Sequence, residues 1–365
     1  MSEDTTTQDS GRTLVIHAGF AKTGTSALQV AFAQNVAWLA EQGIYYPPMG
    51  AMDAASAGEV TSGNGAELGS HLCNLLQRPE IVTHTLELLE ASAAPFALVS
   101  SEFFQGAKPD RLRDFVVRAR ELGYRVRAVF FLRAWHDWLW SAYVQNVRNH
   151  ALDMEFAAWV RRSGVAKLFP KAIATWDAVL GAEHVQLLNY DAMRDDIFAS
   201  FLREAFGMEA TVQATRRPGH VNRSLVGSEI EMMLRFNRIS RNEAQGKRLA
   251  SQLLETNPGH AEPPEPDRTV VAWLGRHVAD DLAAINARIR PKPLEIRARR
   301  ATKTEGASAP SVSELNQTVL LSMYNMQLNA GGAINALRER IEALAGEIGS
   351  IRDAMDADTT GRGKK

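Results

Sequence analysis

The chain has 365 residues, 45% of them apolar, and a formal net charge of −1. That length allows one large domain with an appendage, or two modest domains, around a sizeable core. A balance so near zero excludes bulk attraction to nucleic acid or to an anionic membrane, so any anion site must come from local Arg and Lys. Residues 1–12 are polar and partly acidic and read as a disordered tail without the basic and apolar regions of a signal peptide. Residues 13–20 are β-branched and apolar and predict a buried strand. Residues 25–42 predict a helix ending near Gly43, and 47–66, rich in Pro, Gly and small residues, a loop. Helical patterns follow at 67–78, which holds the single cysteine, Cys73, and at 80–92. One cysteine excludes an internal disulfide framework and suits a reducing compartment.

A second strand is predicted over 96–101, an amphipathic helix over 111–123 closed by Gly123, and a third strand over 124–132. The helix "WHDWLWSAYVQNVRNH" comes next, and "HVQLLNYDAM", from His184, predicts a fourth strand. Strands alternating with helices imply βαβ units and a parallel sheet, with ligands at the strand C-termini. Beyond about 212 the pattern is helical: 224–241, 244–255 and 268–289. Residues 291–312 lack periodicity and read as a linker before a helical tail, 313–358, and a disordered end, 359–365. In the tail Ile334, Leu337, Ile341, Leu344, Ile348, Ile351 and Met355 form an a/d seam of coiled-coil type, for self-association, for a partner helix, or for docking on the chain's own domain. No apolar run approaches the roughly 20 residues that span a bilayer, and the expected location is cytoplasmic.

Chemistry concentrates in "HAGFAKTGTSALQ", residues 17–29. A loop between strand and helix offers unpaired amides and the positive end of a helix dipole, which together hold anions. Gly19 and Gly24 let the backbone turn and approach a phosphate. Lys22 adds a mobile charge, and Thr23, Thr25 and Ser26 add hydroxyls. The order differs from the common nucleotide-hydrolase loop, G-x-x-x-x-G-K-[ST], because Lys22 precedes Gly24. A triphosphate site also needs an acidic residue closing an apolar strand to hold Mg²⁺. Glu102 instead follows two serines in "FALVSSE", so no metal is expected.

The same residues carry a resemblance. "GFAKTGTS" after the first strand is similar to the 5′-phosphosulfate loop of PAPS-dependent sulfotransferases, PAPS being 3′-phosphoadenosine 5′-phosphosulfate. "FFLRAWHDWLWSAY" resembles that family's 3′-phosphate motif, in which Arg closes a strand and Ser follows eight residues later; Arg133 and Ser141 match. "LVSSE" and "HVNRSLVGSEIEMMLRFNR" resemble stretches of bacterial and carbohydrate-type members. The resemblance covers roughly 13–240, within an α/β domain read as 13–290. Phe20-Ala21 and Thr25-Ser26 depart from the commoner aromatic-Pro and Thr-Thr. It implies a P-loop-type three-layer fold with helical C-terminal additions, PAPS as co-substrate, and transfer of a sulfuryl group to a hydroxyl or amine, with a carbohydrate or glycolipid acceptor.

For that reaction Lys22 would stabilise charge on the bridging oxygen, and two residues compete as base. Glu102 would need its pKa raised by burial, whereas His71 titrates near neutrality unaided. Trp135, Trp138 and Trp140 either pack a core or stack on a base or sugar. Asn222 and Ser224 either approach the nucleotide or cap the next helix. A P-loop ATP kinase and a non-catalytic nucleotide- or glycan-binding scaffold are the rival readings.

Overall fold

The structure, a computed structural model, describes residues 11–209, 224–256 and 267–296. The N-terminal tail to residue 10, Asn222, the heptad seam and the rest of the C-terminal tail lie outside the described residues. Five strands form one sheet: β1 (Arg12–Ala18), β2 (Ile44–Tyr45), β3 (Phe96–Ser101), β4 (Tyr124–Leu132) and β5 (Val185–Asn189), in the order β2-β3-β1-β4-β5. Every neighbouring pair is parallel. Helices flank this sheet, so the fold is α/β with a central parallel sheet, as expected. The apolar runs of β1, β3 and β4 are the mark of strands buried on both faces.

Fifteen helices are described: α1 (Thr25–Gln34), α2 (Val36–Glu41), α3 (Met52–Ser56), α4 (Ala66–Leu72), α5 (Glu80–Glu90), α6 (Pro109–Glu121), α7 (Trp135–Asn149), α8 (Phe156–Arg162), α9 (Leu168–Leu180), α10 (Tyr190–Met193), α11 (Ile197–Phe206), α12 (Gly227–Ser240), α13 (Glu243–Thr256), α14 (Arg268–His277) and α15 (Ala279–Asn286). Successive strand residues point to opposite faces. Phe131 of β4 joins Val15, Leu188, Phe32 of α1 and Phe198 and Phe201 of α11 in one buried cluster. Its neighbour Phe130 meets Trp176 of α9 instead, with ring centroids 5.8 Å apart.

Some elements differ from the sequence reading. The helix expected over 25–42 breaks at Asn35, whose side-chain amide donates to Ala31 O at 2.9 Å and competes with the regular helix bond. The expected loop 47–66 contains α3, and β2 is too short to show an alternation. Helices α8, α9 and α11 had no sequence assignment, and 268–289 is two helices parted at Val278. Ser224 is not the cap of α12: the N-cap is Val226, whose N–H donates to the Glu229 carboxylate at 3.0 Å.

The described residues divide into two compact units, one of 11–145, 154–209 and 267–296, the other of 146–153 and 224–256. In the second, α12 packs on α13, and buried Asn237 donates to Val147 O at 2.7 Å and Leu152 O at 2.9 Å. In the first, residues 290–296, mostly assigned to a linker by sequence, return to the sheet. Arg290 N donates to Leu187 O at 3.0 Å and Asn189 N to Arg290 O at 2.7 Å, a parallel bridge on the outer edge of β5. Glu295 O and Ile296 O then accept the Trp135 and His136 amides at 3.0 and 2.9 Å, capping α7.

Candidate functional site

Strands β3, β1 and β4 lie side by side, and each is followed directly by a residue singled out from sequence. Ala18 pairs with Ser101, so Glu102 stands level with Gly19 at the start of the loop between β1 and α1. On the other side of β1, β4 ends at Leu132 and delivers Arg133. Lys22, Glu102, Arg133 and Ser141 thus gather at the C-terminal edge of the sheet, where ligands bind in folds of this kind.

The loop is held open by its own chemistry. Gly24, at φ 82°, is the N-cap of α1 and offers no side chain to the first-turn amides, and that turn holds no acidic residue. The positive end of the helix dipole is therefore uncompensated by the helix itself. Lys22 has φ 70°, a left-handed conformation costing a non-glycine residue about 1–2 kcal/mol. Thr23 and Thr25 are buried, and both hydroxyls donate to Phe20 O, at 2.6 and 2.9 Å. Both hydroxyls are thus engaged in building the loop. Ser26 is half-buried on the first turn of α1. Gly19 admits the loop's tight return, since a Cβ there would lie 2.5 Å from Thr25 Oγ1.

Gly24 makes a sharper test. A Cβ would meet Ile197 Cδ1 at 2.4 Å and Tyr190 Cε2 at 2.8 Å. Gly24→Ala is expected to lose about 1–3 kcal/mol from this overlap alone, with a further loss from the positive φ. Urea denaturation checks it, and Ile197→Val in the same chain should recover part of the loss.

Arg133 and Ser141 meet across the first turns of α7: Arg133 Nη1 lies 3.0 Å from Ser141 Oγ and 3.5 Å from Lys22 O. Its guanidinium sits over the Tyr190 ring, 5.8 Å from the centroid. Asp191, which sequence reasoning missed, accepts the Ala134 amide at 2.7 Å and places its other oxygen 3.9 Å from Arg133 Nε. That Nε is buried with no hydrogen-bond partner among the described residues. The only sequence signal for Asp191 was its position just past a strand end.

Glu102 opens a 3₁₀ turn, Glu102–Gly106, capped by Ser101 Oγ, which accepts Phe103 N at 3.2 Å. Burial raises its carboxyl pKa, and the Lys22 charge partly offsets this. His71 is differently placed. Its Nδ1 accepts the Arg78 amide at 3.2 Å, and Arg111 donates to its carbonyl at 2.6 Å. Burial, then Arg111, lower its pKa. His71 thus fastens the turn after α4 to α6.

Sequence reasoning also passed over His17, wholly buried in β1. Its Nδ1 lies 2.8 Å from Ser100 Oγ, and burial drives its pKa down to about 3. It is a neutral strut beneath the loop, ringed by Phe32, Phe131 and Phe201. Trp135 and Trp138 are buried, and Trp140 meets Phe156 edge-on at 5.0 Å.

No family model matches the chain, and no curated protein matches it. Among solved structures it is similar to a sulfotransferase from Alicyclobacillus acidocaldarius, at 13% identity and a TM-score of 0.39, over 76% of this chain and 95% of that one.

Proposed function

We propose that this protein is a sulfotransferase that moves a sulfuryl group from PAPS to a hydroxyl or amine, with a carbohydrate or glycolipid as acceptor. The observation that carries the reading is the convergence of Lys22, the Arg133–Ser141 pair and the half-buried Glu102 carboxyl beside three adjacent strand ends. A nucleotide bearing both a 5′-phosphosulfate and a 3′-phosphate needs two anion sites. The loop with α1 suits the first, and the Arg133–Ser141 pair suits the second, since a guanidinium forks onto phosphate oxygens.

In this reading the acceptor oxygen or nitrogen attacks sulfur in line. The bond from sulfur to the bridging 5′-phosphate oxygen breaks, and 3′,5′-bisphosphoadenosine leaves. Lys22 and the loop amides stabilise the charge that grows on that oxygen. Glu102 takes the acceptor proton; a carboxyl whose pKa is raised is the better base near neutrality. His71 is the weaker candidate, because Nδ1 already accepts a backbone amide.

Calorimetric titration with 3′,5′-bisphosphoadenosine in EDTA, with ATP as comparator, tests the proposal. Tight binding of the bisphosphate and none of ATP is the expected result. Magnesium-dependent ATP binding without bisphosphate binding would sink it in favour of a kinase. Binding of neither would favour a non-catalytic scaffold.

A further inference from the structure

Three consecutive carbonyls of the phosphate loop face acceptor-seeking groups. Phe20 O takes the two threonine hydroxyls, Ala21 O takes the Trp138 indole N–H at 3.0 Å, and Lys22 O lies 3.5 Å from Arg133 Nη1. In a trans peptide the N–H points opposite to the C=O of the same plane. Holding the Ala21 carbonyl therefore also fixes the direction of the Lys22 amide.

The conformation needs holding. Rotating the Ala21–Lys22 peptide by half a turn would carry Lys22 from its positive φ of 70° to an ordinary negative value. In a loop read as an anion cradle, the same rotation would replace the Lys22 amide by the Ala21 carbonyl on the anion side. Strain at Lys22 thus favours a loop that repels anions, and the hydrogen bond from Trp138 opposes it. Trp138 is well suited to this. It is 2% exposed, and its ring is wedged against Phe169 and Phe20 at centroid distances of 4.3 and 6.1 Å. It also lies one helical turn from Ser141 on α7, so one helix face serves both anion sites.

We infer that Trp138 is a positioning residue of the anion cradle: its indole N–H locks the Ala21–Lys22 peptide with the carbonyl outward and the Lys22 amide toward the bound anion. The inference rests on reading the loop as an anion cradle. It explains why a tryptophan, rather than another apolar residue, occupies this packed position.

The test is Trp138→Phe, which keeps an aromatic ring and removes the N–H. In ligand-free wild-type protein, NMR should show a positive φ at Lys22 and a slowly exchanging Trp138 indole proton, assigned by its disappearance in the variant. In Trp138→Phe, φ at Lys22 should turn negative. Affinity for 3′,5′-bisphosphoadenosine should fall roughly tenfold or more, the scale of one lost hydrogen bond, while Trp140→Phe leaves it unchanged. Should Trp138→Phe misfold, 3-benzothienylalanine at position 138 keeps the ring shape and has sulfur in place of the N–H. An unchanged Lys22 φ, or wild-type affinity in the variant, would overturn the inference. If wild-type protein binds no bisphosphate, the proposed function fails, and the ligand-free NMR signals still decide whether Trp138 sets the peptide.

Discussion

Arg133→Ala is expected to weaken 3′,5′-bisphosphoadenosine binding about a hundredfold or more, the scale of one or two charge-assisted hydrogen bonds. The loss should be larger than that scale alone suggests. Asp191 stays beside the site, with one oxygen on the Ala134 amide, and loses the guanidinium 3.9 Å from the other. An uncompensated carboxylate would then face the incoming phosphate. Arg133→Lys should fall between, because it keeps the charge and loses the planar fork. Calorimetry at constant ionic strength gives the ranking. A wild-type Kd for Arg133→Ala would remove the second anion site, and the bisphosphate reading with it.

Glu102→Gln should separate turnover from binding. As the general base, Glu102 is expected to contribute roughly 10²- to 10⁴-fold to turnover. Its removal should leave nucleotide affinity intact. The same change should stabilise the fold at neutral pH. Burial raises the Glu102 pKa in the folded chain, so the native state holds this proton more tightly than the unfolded state does. The resulting stability is fully present below the unfolded carboxyl value of about 4.3 and is lost as pH rises through the raised folded value. Glutamine mimics the protonated form at every pH. Its advantage should therefore grow as pH rises above about 4.3, be complete above the folded pKa and vanish in acid, as urea midpoints across a pH series would show. A variant inactive but no more stable would place the carboxyl in an environment where burial costs it nothing. A variant fully active would return the base to His71 or to another group.

Much of this architecture was legible in the chain because it is local. The run to Ala18, the small residues of the loop and the apolar run closed by Arg133 each declare a strand and its end within about ten residues. Helix α11 was harder to see: Phe198 and Phe201 are core residues in a short stretch next to charged Arg194, Asp195 and Asp196. The break at Asn35 depends on one side chain choosing its own turn over the helix. The loop hydroxyls were legible as residue types but not as bonds, since Phe20 O takes both only once the loop has turned back on itself. Asp191 and Trp138 act on residues 57 and 117 positions away, a separation that no periodicity encodes.

The return of residues 290–296 bears on how the molecule is made. Until that segment has emerged from the ribosome, β5 lacks the partner of Leu187 O and Asn189 N on its outer side, and α7 begins without the carbonyls that receive its first amides. Arg133 stands just before that same helix start. Synthesis must therefore run about a hundred residues past β5 before this corner closes, and a nascent chain waits through that interval with an adhesive border. A product stopped short of Arg290 would keep that border for good, open to pairing with copies of itself.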